Sequence, residues 1–154
     1  MYLNSLLDRR AVLANVSVNS KRQALQVIAD LAGRQLGLDT DAILQGLLDR
    51  EKEGSTGVGQ GVGVPHAALA GLDRMYGVFA RLDSPVGYDA IDDMPVDLIF
   101  ALLAPEHAGT EHLRALAKVS RVLRQKDVRD QLRRLDNPDA IYAVLTGLAN
   151  SNAA

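Results

Sequence analysis

Three histidines, His66, His107 and His112, are the side chains of this sequence best suited to chemistry. A neutral imidazole can act as a base or a nucleophile near neutral pH because its ordinary pKa is ~6.5. The chain contains no cysteine, which excludes disulfides, thiolate metal sites and a cysteine nucleophile. The context of each histidine therefore decides which chemistry it could support.

His66 follows a glycine-rich stretch between residues 54 and 63 and the dipeptide Val64-Pro65. Pro65 favours extended backbone at Val64, and glycine-rich backbone can turn N–H groups toward an anion. This pattern is typical of a basic or nucleophilic histidine beside an anion. A histidine packed in a loop or core has the same spacing, and the alternating glycines are equally typical of close structural packing.

His112 lies in the first turn of a predicted helix, beside Thr110 as the expected N-cap. Unpaired N–H groups and the helix dipole favour an anion there, although an exposed histidine without a partner is the common alternative. His107, in the preceding loop, indicates surface exposure only. The absence of a His-x-x-x-His helix spacing disfavours a zinc site.

The glycines and serines do not fit three other kinds of site. The glycine-rich stretch lacks the Lys-Ser/Thr pair of a P-loop and the strand-turn-helix context of a dinucleotide fingerprint. No serine has the Gly-x-Ser-x-Gly setting of a hydrolase nucleophile.

Hydrophobic periodicity predicts the elements that position these residues. The first helix, at residues 20–36, begins with a capping box of Ser20 and Gln23 and ends at Gly37. Residues 96–104 are nearly continuous in apolar character, as in a central buried strand. The other predicted elements are a helix at 40–52, extended backbone and turns at 54–63, strands at 11–16 and 74–82, and helices from Thr110, from about Asp127, and from Asn137 to about Leu148. This order predicts a single-domain α/β sandwich over residues 1–154, with a mixed central β-sheet and helices on both faces.

Charge and hydropathy exclude several classes of function. The net charge of −2 gives no electrostatic footprint for nucleic acid. Basic residues between 114 and 134 alternate with apolar ones and predict a solvated helix face. The inner face of the helix from Thr110 is predicted to contain Leu113, Leu116, Ala117, Ser120 and Leu123.

The charged N-terminus does not fit a secretory signal and no apolar run suits a membrane span. We therefore expect a cytoplasmic protein without direct membrane insertion.

Residues 50–66 read REKEGSTGVGQGVGVPH. This segment closely resembles the phosphorylation-site motif of the phosphotransferase-system (PTS) IIA components of the mannitol/fructose class, the type-2 EIIA domains. Its Gly-Ser-Thr-Gly form is similar to the nitrogen-regulatory branch, and the resemblance continues at Glu111-His112-Leu113. One departure is Ala67, where the family commonly has glycine, and its methyl group would narrow the approach to His66.

The resemblance implies a site in which His66 is the phosphorylated nucleophile. Arg50 and His112 are then the neighbours that steady the phosphoryl group, and Thr56, Gly57 and Gln60 are weaker candidates for the same pocket. The resemblance implies neither a cofactor nor a metal. The chemistry is consistent with this, because phosphoryl transfer through a loose transition state depends mainly on positioning and positive charge.

The resemblance also implies partners. The donor would be an HPr-like phosphocarrier of the NPr kind, fed from phosphoenolpyruvate, and the phosphorylation state would be signalled by binding target proteins such as sensor kinases or potassium transport systems. Three alternatives stay open: a sugar-transport IIA component that passes phosphate to a separate IIB protein, an interaction module that is not phosphorylated, and, more distantly, a hydrolase.

Overall fold

The computed structural model of the chain describes residues 3–147. Its core is a six-stranded mixed sheet in the order β1-β5-β6-β3-β2, with β4 also paired to β6. β1 runs parallel to β5, β5 runs antiparallel to β6, and both β3 and β4 run parallel to β6. The strands are β1 (Leu7–Val16), β2 (Gly57–Gly59), β3 (Val62–Gly63), β4 (His66–Leu69), β5 (Tyr76–Val86) and β6 (Val96–Pro105).

β6 is the central strand, as its sequence predicts. Every residue of β6 except Asp97 is buried. A strand whose two faces are both buried needs cover on each side, and five helices within residues 3–147 provide that cover. They are α1 (Lys21–Leu36), α2 (Thr40–Lys52), α3 (Thr110–Arg124), α4 (Lys126–Arg134) and α5 (Pro138–Thr146).

The helices form two groups. α1 packs on α2, and α2 contacts β4, whereas α3 and α4 pack together and contact β6, and α5 packs on α4 and β1. The predicted α/β sandwich with a mixed sheet and helices on both faces is confirmed.

Ser20 is confirmed as the N-cap of α1, but the return bond from the Gln23 side chain goes to the residue before the cap and not to the cap itself. The Ser20 hydroxyl oxygen accepts a hydrogen bond from Gln23 N at 3.1 Å, and the Gln23 side chain in turn accepts one from Asn19 N at 2.6 Å. Gly37 ends the helix with φ of 68°, a left-handed conformation that glycine adopts without strain.

Two strands are longer than predicted. β1 begins at Leu7. Its first residues were not predicted as a strand because the charged residues Asp8 and Arg10, which bond to each other at the strand edge, interrupt the hydrophobic pattern. β5 extends to Val86 through the exposed Pro85, beyond an irregularity in its pairing with β6. α5 ends at Thr146, with Gly147 as its left-handed cap, and Leu148 lies outside the described residues.

The predicted inner face of α3 is wrong in part. The buried residues are Ala115, Val119, Val122 and Leu123, whereas Leu113 is 68% exposed and Ala117 is exposed. Leu113 precedes Ala115 by two positions, which on a helix turns it about 200° away from the sheet.

The prediction of a solvated basic face is wrong for Arg129. This residue is buried, and its guanidinium donates to the carbonyl oxygens of Leu123 and Arg124 at 3.1 and 2.5 Å. These carbonyls belong to the last turn of α3, where intrahelical partners are lacking. Arg129 therefore caps α3.

Candidate functional site

His66 is the first residue of β4, at a break in the strand pairing along β6. β3 pairs with the first half of β6 and β4 with its second half, and Val64-Pro65 lies between them. The Pro65 carbonyl still accepts a hydrogen bond from Leu102 N at 2.9 Å. The backbone before His66 is therefore held to the sheet, although proline has no N–H to donate.

The hydrogen bonds of His66 determine its tautomer. Nδ1 lies 3.0 Å from the carbonyl oxygen of Val64, which can only accept, so Nδ1 carries the proton. Nε2 accepts a hydrogen bond from Nε of Arg50 at 3.1 Å. The imidazole is thus neutral, with the lone pair of Nε2 directed at the guanidinium.

Arg50 reaches His66 from the last turn of α2. Besides its bond to Nε2, it donates from Nη1 to the carbonyl oxygen of Gly54 at 2.8 Å. One guanidinium therefore joins α2, the start of the glycine-rich segment and the imidazole. A planar guanidinium suits this because its donors point in fixed, divergent directions.

His112, in the first turn of α3, meets His66 edge-on. The ring centroids are 5.4 Å apart at an interplanar angle of 83°. Nε2 of His112 is buried and has no hydrogen-bond partner among residues 3–147. Burial lowers the pKa of the His112 imidazole below its ordinary value of 6.5, and a positive charge on His66 would lower it further. His112 thus adds a neutral ring with an unpaired nitrogen to the site.

The start of α3 differs from expectation. Gly109, with φ of 53°, is the N-cap, no side chain caps the helix, and Thr110 is its first residue. The N–H groups of Glu111 and His112 are already bonded to the carbonyls of Ala108 and Gly109, each at 3.1 Å. These two amides are therefore not free for an anion, and what this turn contributes is the His112 side chain. His107 is exposed, as predicted.

Thr56 is bonded away from His66. Its hydroxyl lies 2.5 Å from Glu51 Oε2 and 3.0 Å from the Tyr88 hydroxyl, and the whole residue is 4% exposed. A carboxylate only accepts, so Thr56 donates to Glu51 and Tyr88 donates to Thr56. Burial raises the pKa of the Tyr88 phenol well above its ordinary value, which keeps that proton in place.

Gly57 and Gln60 also have other partners. Gly57 N donates to the Ser55 hydroxyl oxygen at 3.0 Å, and Gln60 N donates to Asp92 Oδ2 at 2.9 Å in the exposed β2–β3 turn. The structure brings Arg50, His66 and His112 together. Phosphate contacts from Thr56, Gly57 and Gln60 stay a prediction.

Of the two interpretations of the alternating glycines, the structure favours close packing. A methyl group at Gly57 would lie 2.6 Å from the Cβ of Ala90, and one at Gly63 would lie 3.0 Å from the Tyr88 ring. The segment therefore needs glycine where the buried residues Tyr88 and Ala90 lie against its backbone.

The methyl group of Ala67 does not narrow the approach to His66. Successive residues of a strand point to opposite faces, and Ala67 is buried against α2, where a methyl group at Gly46 would lie 3.2 Å from its Cβ. The expectation from the sequence is wrong because the extra methyl occupies space left by a glycine of α2.

Sequence reasoning missed the polar residues beneath the site. Lys21 Nζ lies 2.6 Å from Glu51 Oε1, 3.3 Å from the Tyr88 carbonyl oxygen and 4.2 Å from the Tyr88 ring centroid. The only available signal was the position of Glu51 next to Arg50. No pattern along the chain connects these residues with α1 or with Tyr88.

Residues 3–147 contain no group of three or more histidine or acidic side chains that could hold a metal ion. No helix in the same range is long and apolar enough to cross a membrane.

Fold and site together define a class of protein: an α/β domain that holds a neutral histidine at a strand start between an arginine and a second histidine. Comparison with known families gives that class its name. Residues 5–147 match the family described as phosphoenolpyruvate-dependent sugar phosphotransferase system, EIIA 2. The chain belongs to this family and is a PTS IIA phosphoryl-transfer component.

Individual relatives are consistent with the nitrogen-regulatory branch. A nitrogen regulatory protein of Bradyrhizobium diazoefficiens is 46% identical over 145 residues, covering 94% of this chain and 95% of the relative. The crystal structure of nitrogen regulatory protein IIA-Ntr from Neisseria meningitidis matches with a TM-score of 0.88 at 38% identity, covering 94% of this chain and 99% of that one. A fructose-specific EIIA component of Haloferax volcanii is 39% identical over 129 residues, 82% of each chain.

Proposed function

We propose that Nε2 of His66 accepts a phosphoryl group from an HPr-like phosphocarrier, and that the protein signals by binding target proteins according to its phosphorylation state. The observation that carries the proposal is the tautomer of His66. Its Nδ1 proton is held by the Val64 carbonyl, so the Nε2 lone pair is available beside Arg50.

The transfer step needs no general base. The Nε2 lone pair forms the new N–P bond while the N–P bond to the donor imidazole breaks, and that electron pair returns to the donor nitrogen. No proton has to leave Nε2, since the proton of His66 is on Nδ1 and stays hydrogen-bonded to Val64. Catalysis is then a matter of alignment and of charge around the three equatorial oxygens.

Arg50 and His112 have complementary roles in this step. Arg50 gives up its bond to Nε2 and donates instead to the phosphoryl oxygens, where a charged donor is strongest. His112 lies edge-on to His66, so the N–H of its neutral ring can donate to another oxygen. Once a dianion is bound, its charge favours protonation of His112 and strengthens this contact.

Phosphorylation would change the surface charge near His66 by about −1.5 to −2. The change falls beside the exposed residues Glu111 and Leu113 of α3, so it can alter docking of a partner at this face. The names of the relatives support a regulatory role, and sensor kinases or potassium transport systems are the kinds of target we propose. We also propose that residues 1–154 form one domain and act in the cytoplasm. In this proposal phosphoryl transfer needs no cofactor.

A second candidate is the IIA component of a sugar-transport system that passes phosphate to a separate IIB protein. The fructose-specific relative favours it. In the sugar-transport systems that the sequence resembles, the IIB acceptor is commonly a cysteine; this chain has none, so onward transfer would require a second protein. Incubation of the phosphorylated chain with fructose-type IIB proteins distinguishes the two functions: rapid loss of the phosphoryl group to a IIB protein supports transport, and retention supports regulation.

Intact-mass analysis tests the phosphoryl acceptor. The purified chain is mixed with phosphoenolpyruvate, the first phosphotransferase enzyme and an HPr-like carrier, with His66→Ala and His107→Ala as variants. We expect one acid-labile phosphoryl group on the wild type and on His107→Ala, and none on His66→Ala. Absence of phosphorylation with several cognate carriers would instead support an interaction module that is not phosphorylated.

A further inference from the structure

Glu51, next to Arg50 in the last turn of α2, is bonded to residues other than His66. Its side chain is 8% exposed. Oε1 lies 2.6 Å from Lys21 Nζ and accepts from Thr56 N at 3.0 Å, and Oε2 accepts from the Thr56 hydroxyl at 2.5 Å. Successive helix residues point about 100° apart, so Arg50 reaches the imidazole while Glu51 reaches into the protein.

The charge of Glu51 is fully compensated. Lys21 from α1 neutralises it, and Lys21 itself packs over the Tyr88 ring and donates to the Tyr88 carbonyl. The Tyr88 hydroxyl also donates a hydrogen bond to the Thr56 hydroxyl, so Lys21, Glu51, Thr56 and Tyr88 are all linked by polar contacts. A buried ionic group with all its bonds satisfied resists displacement, whereas loss of one partner leaves an uncompensated charge.

These bonds close a short loop around the carbonyl that holds Arg50. Glu51 and Thr56 are bonded at the two ends of the loop, and Gly54, whose carbonyl oxygen accepts from Arg50, lies between them. Gly54 has φ of 143° and is exposed, its N–H donates to the Glu51 carbonyl oxygen at 3.1 Å, and the next residue, Ser55, donates from its hydroxyl to the Tyr88 carbonyl oxygen at 2.7 Å. The two bonds from Thr56 to the Glu51 carboxylate hold the far end of the loop that carries this carbonyl.

We infer that Glu51 is a positioning residue for phosphoryl transfer: by closing the 51–56 loop onto α1 and Tyr88, it holds the guanidinium of Arg50 at Nε2 of His66. This inference rests on the proposed function of His66. Glu51 does not touch the imidazole, so it acts through Arg50 and Gly54. Thr56 then serves the site as the partner of Glu51 and not as a phosphate ligand.

The first test is the rate of phosphoryl transfer from a phosphorylated HPr-like carrier, measured by rapid quench. Glu51→Gln keeps the size of the side chain but removes its charge. We expect the rate constant at saturating donor to fall about 10- to 100-fold, since a misplacement of about 1 Å can cost that much. The donor concentration at half-saturation should change by less than about 2-fold, because the Glu51 side chain is 8% exposed and presents little surface to a donor protein.

The matched control is Glu53→Gln, the same chemical change two residues further along at an exposed position. It should transfer at the wild-type rate. A Glu51→Gln variant that transfers within about 2-fold of wild type at saturating donor would overturn the inference.

A second pair of variants covers the case in which Glu51→Gln does not fold. Thr56→Val keeps the shape of the side chain but removes the hydroxyl, and Thr56→Ser keeps the hydroxyl. We expect Thr56→Val to slow transfer and Thr56→Ser to restore most of the rate. Equal rates for the two variants would contradict the role of the Thr56–Glu51 bond.

The third measurement needs no activity and separates positioning from general stability. In the unphosphorylated protein the Nε–H of Arg50 should give a protected NMR signal, since it is bonded to His66. Glu51→Gln should lose this protection, while amide signals outside the loop stay unchanged. An unaltered Arg50 signal would refute the inference even if the variant is less stable. A wild type that is not phosphorylated would refute the proposed function instead. The Arg50 signal would still test whether Glu51 holds the guanidinium at His66.

Discussion

The contact between Gly46 and Ala67 offers a quantitative test of how α2 packs behind the site. Gly46 lies in the interior of α2, and Ala67 follows His66 in β4. A methyl group at Gly46 would lie 3.2 Å from the Cβ of Ala67 and 3.3 Å from Cδ2 of Leu69. The Leu69 side chain can rotate away. Ala67 cannot retreat, because β4 is paired to β6 at that residue.

The expected magnitude follows from two opposing terms. Alanine is favoured over glycine in a helix interior by about 1 kcal/mol, and overpacking of this small degree costs about 1 to 2 kcal/mol. Gly46→Ala should therefore change the free energy of unfolding of the wild type by roughly 0 to −1 kcal/mol. In an Ala67→Gly background the clash disappears, so the same change should stabilise by about 1 kcal/mol. The coupling between the two sites is then about 1 to 2 kcal/mol.

Urea unfolding of the wild type, the two single variants and the double variant measures this coupling. The control is Ala42→Gly at an exposed position of α2, the helix that contains Gly46, because this change reports the helix propensity of alanine against glycine alone. Gly37→Ala is unsuitable because Gly37 has a left-handed φ of 68°. A coupling below about 0.3 kcal/mol, within the range of independent sites, would refute the packing argument. Ala67→Gly should also accept phosphate at the wild-type rate, and a large acceleration would show that the methyl group does narrow the approach to His66.

Two further predictions concern the site. Arg50→Gln should slow phosphorylation of His66 by about 10²-fold, as loss of one preorganised donor does. Arg50→Lys should restore little of this rate, because an ammonium group cannot reproduce the two divergent bonds. Equal rates for Arg50→Lys and the wild type in a rapid-quench assay would contradict this role. Burial lowers the pKa of His112 in the folded protein below 6.5. As the pH falls, the unfolded chain therefore takes up a proton on His112 before the folded chain does. The free energy of unfolding that His112 contributes above pH 6.5 is lost as the pH falls through its folded pKa. Urea midpoints at pH 7.5 and 5 should therefore differ more for the wild type than for His112→Gln, and identical differences would refute this.

The elements with strong local signals were predicted well. The N-cap at Ser20 and the left-handed Gly37 bound α1 because both act through bonds within a few residues. The central strand β6 was evident because burial on two faces requires an unbroken apolar run. The start of β1 was missed because its charged residues bond to each other at the strand edge. The inner face of α3 was misjudged because its first turn carries a large apolar residue, Leu113, on the exposed side.

The sequence predicted which three residues of the site lie together, but it did not predict the residues that support them. The motif at residues 50–66 and the resemblance it carries pointed to Arg50, His66 and His112, and the structure brings these three together. The interpretation of Thr56 as a phosphate ligand did not anticipate its bonds to Glu51 and Tyr88. Tyr88 lies 32 residues further along the chain, and a hydrogen bond across that separation leaves no periodic trace.

The sequence by itself determined the type of the five helices and three long strands within residues 3–147, the absence of thiol chemistry and the presence of a histidine whose preceding backbone is stiffened by proline. These properties depend on side-chain chemistry and on interactions between near neighbours. Only the tertiary structure decided the tautomer of His66, the burial of His112 and the closure of the 51–56 loop by Glu51. Each of these depends on which groups from distant segments meet in three dimensions, and hydrogen bonding and desolvation act only once the folded chain has brought those groups into contact.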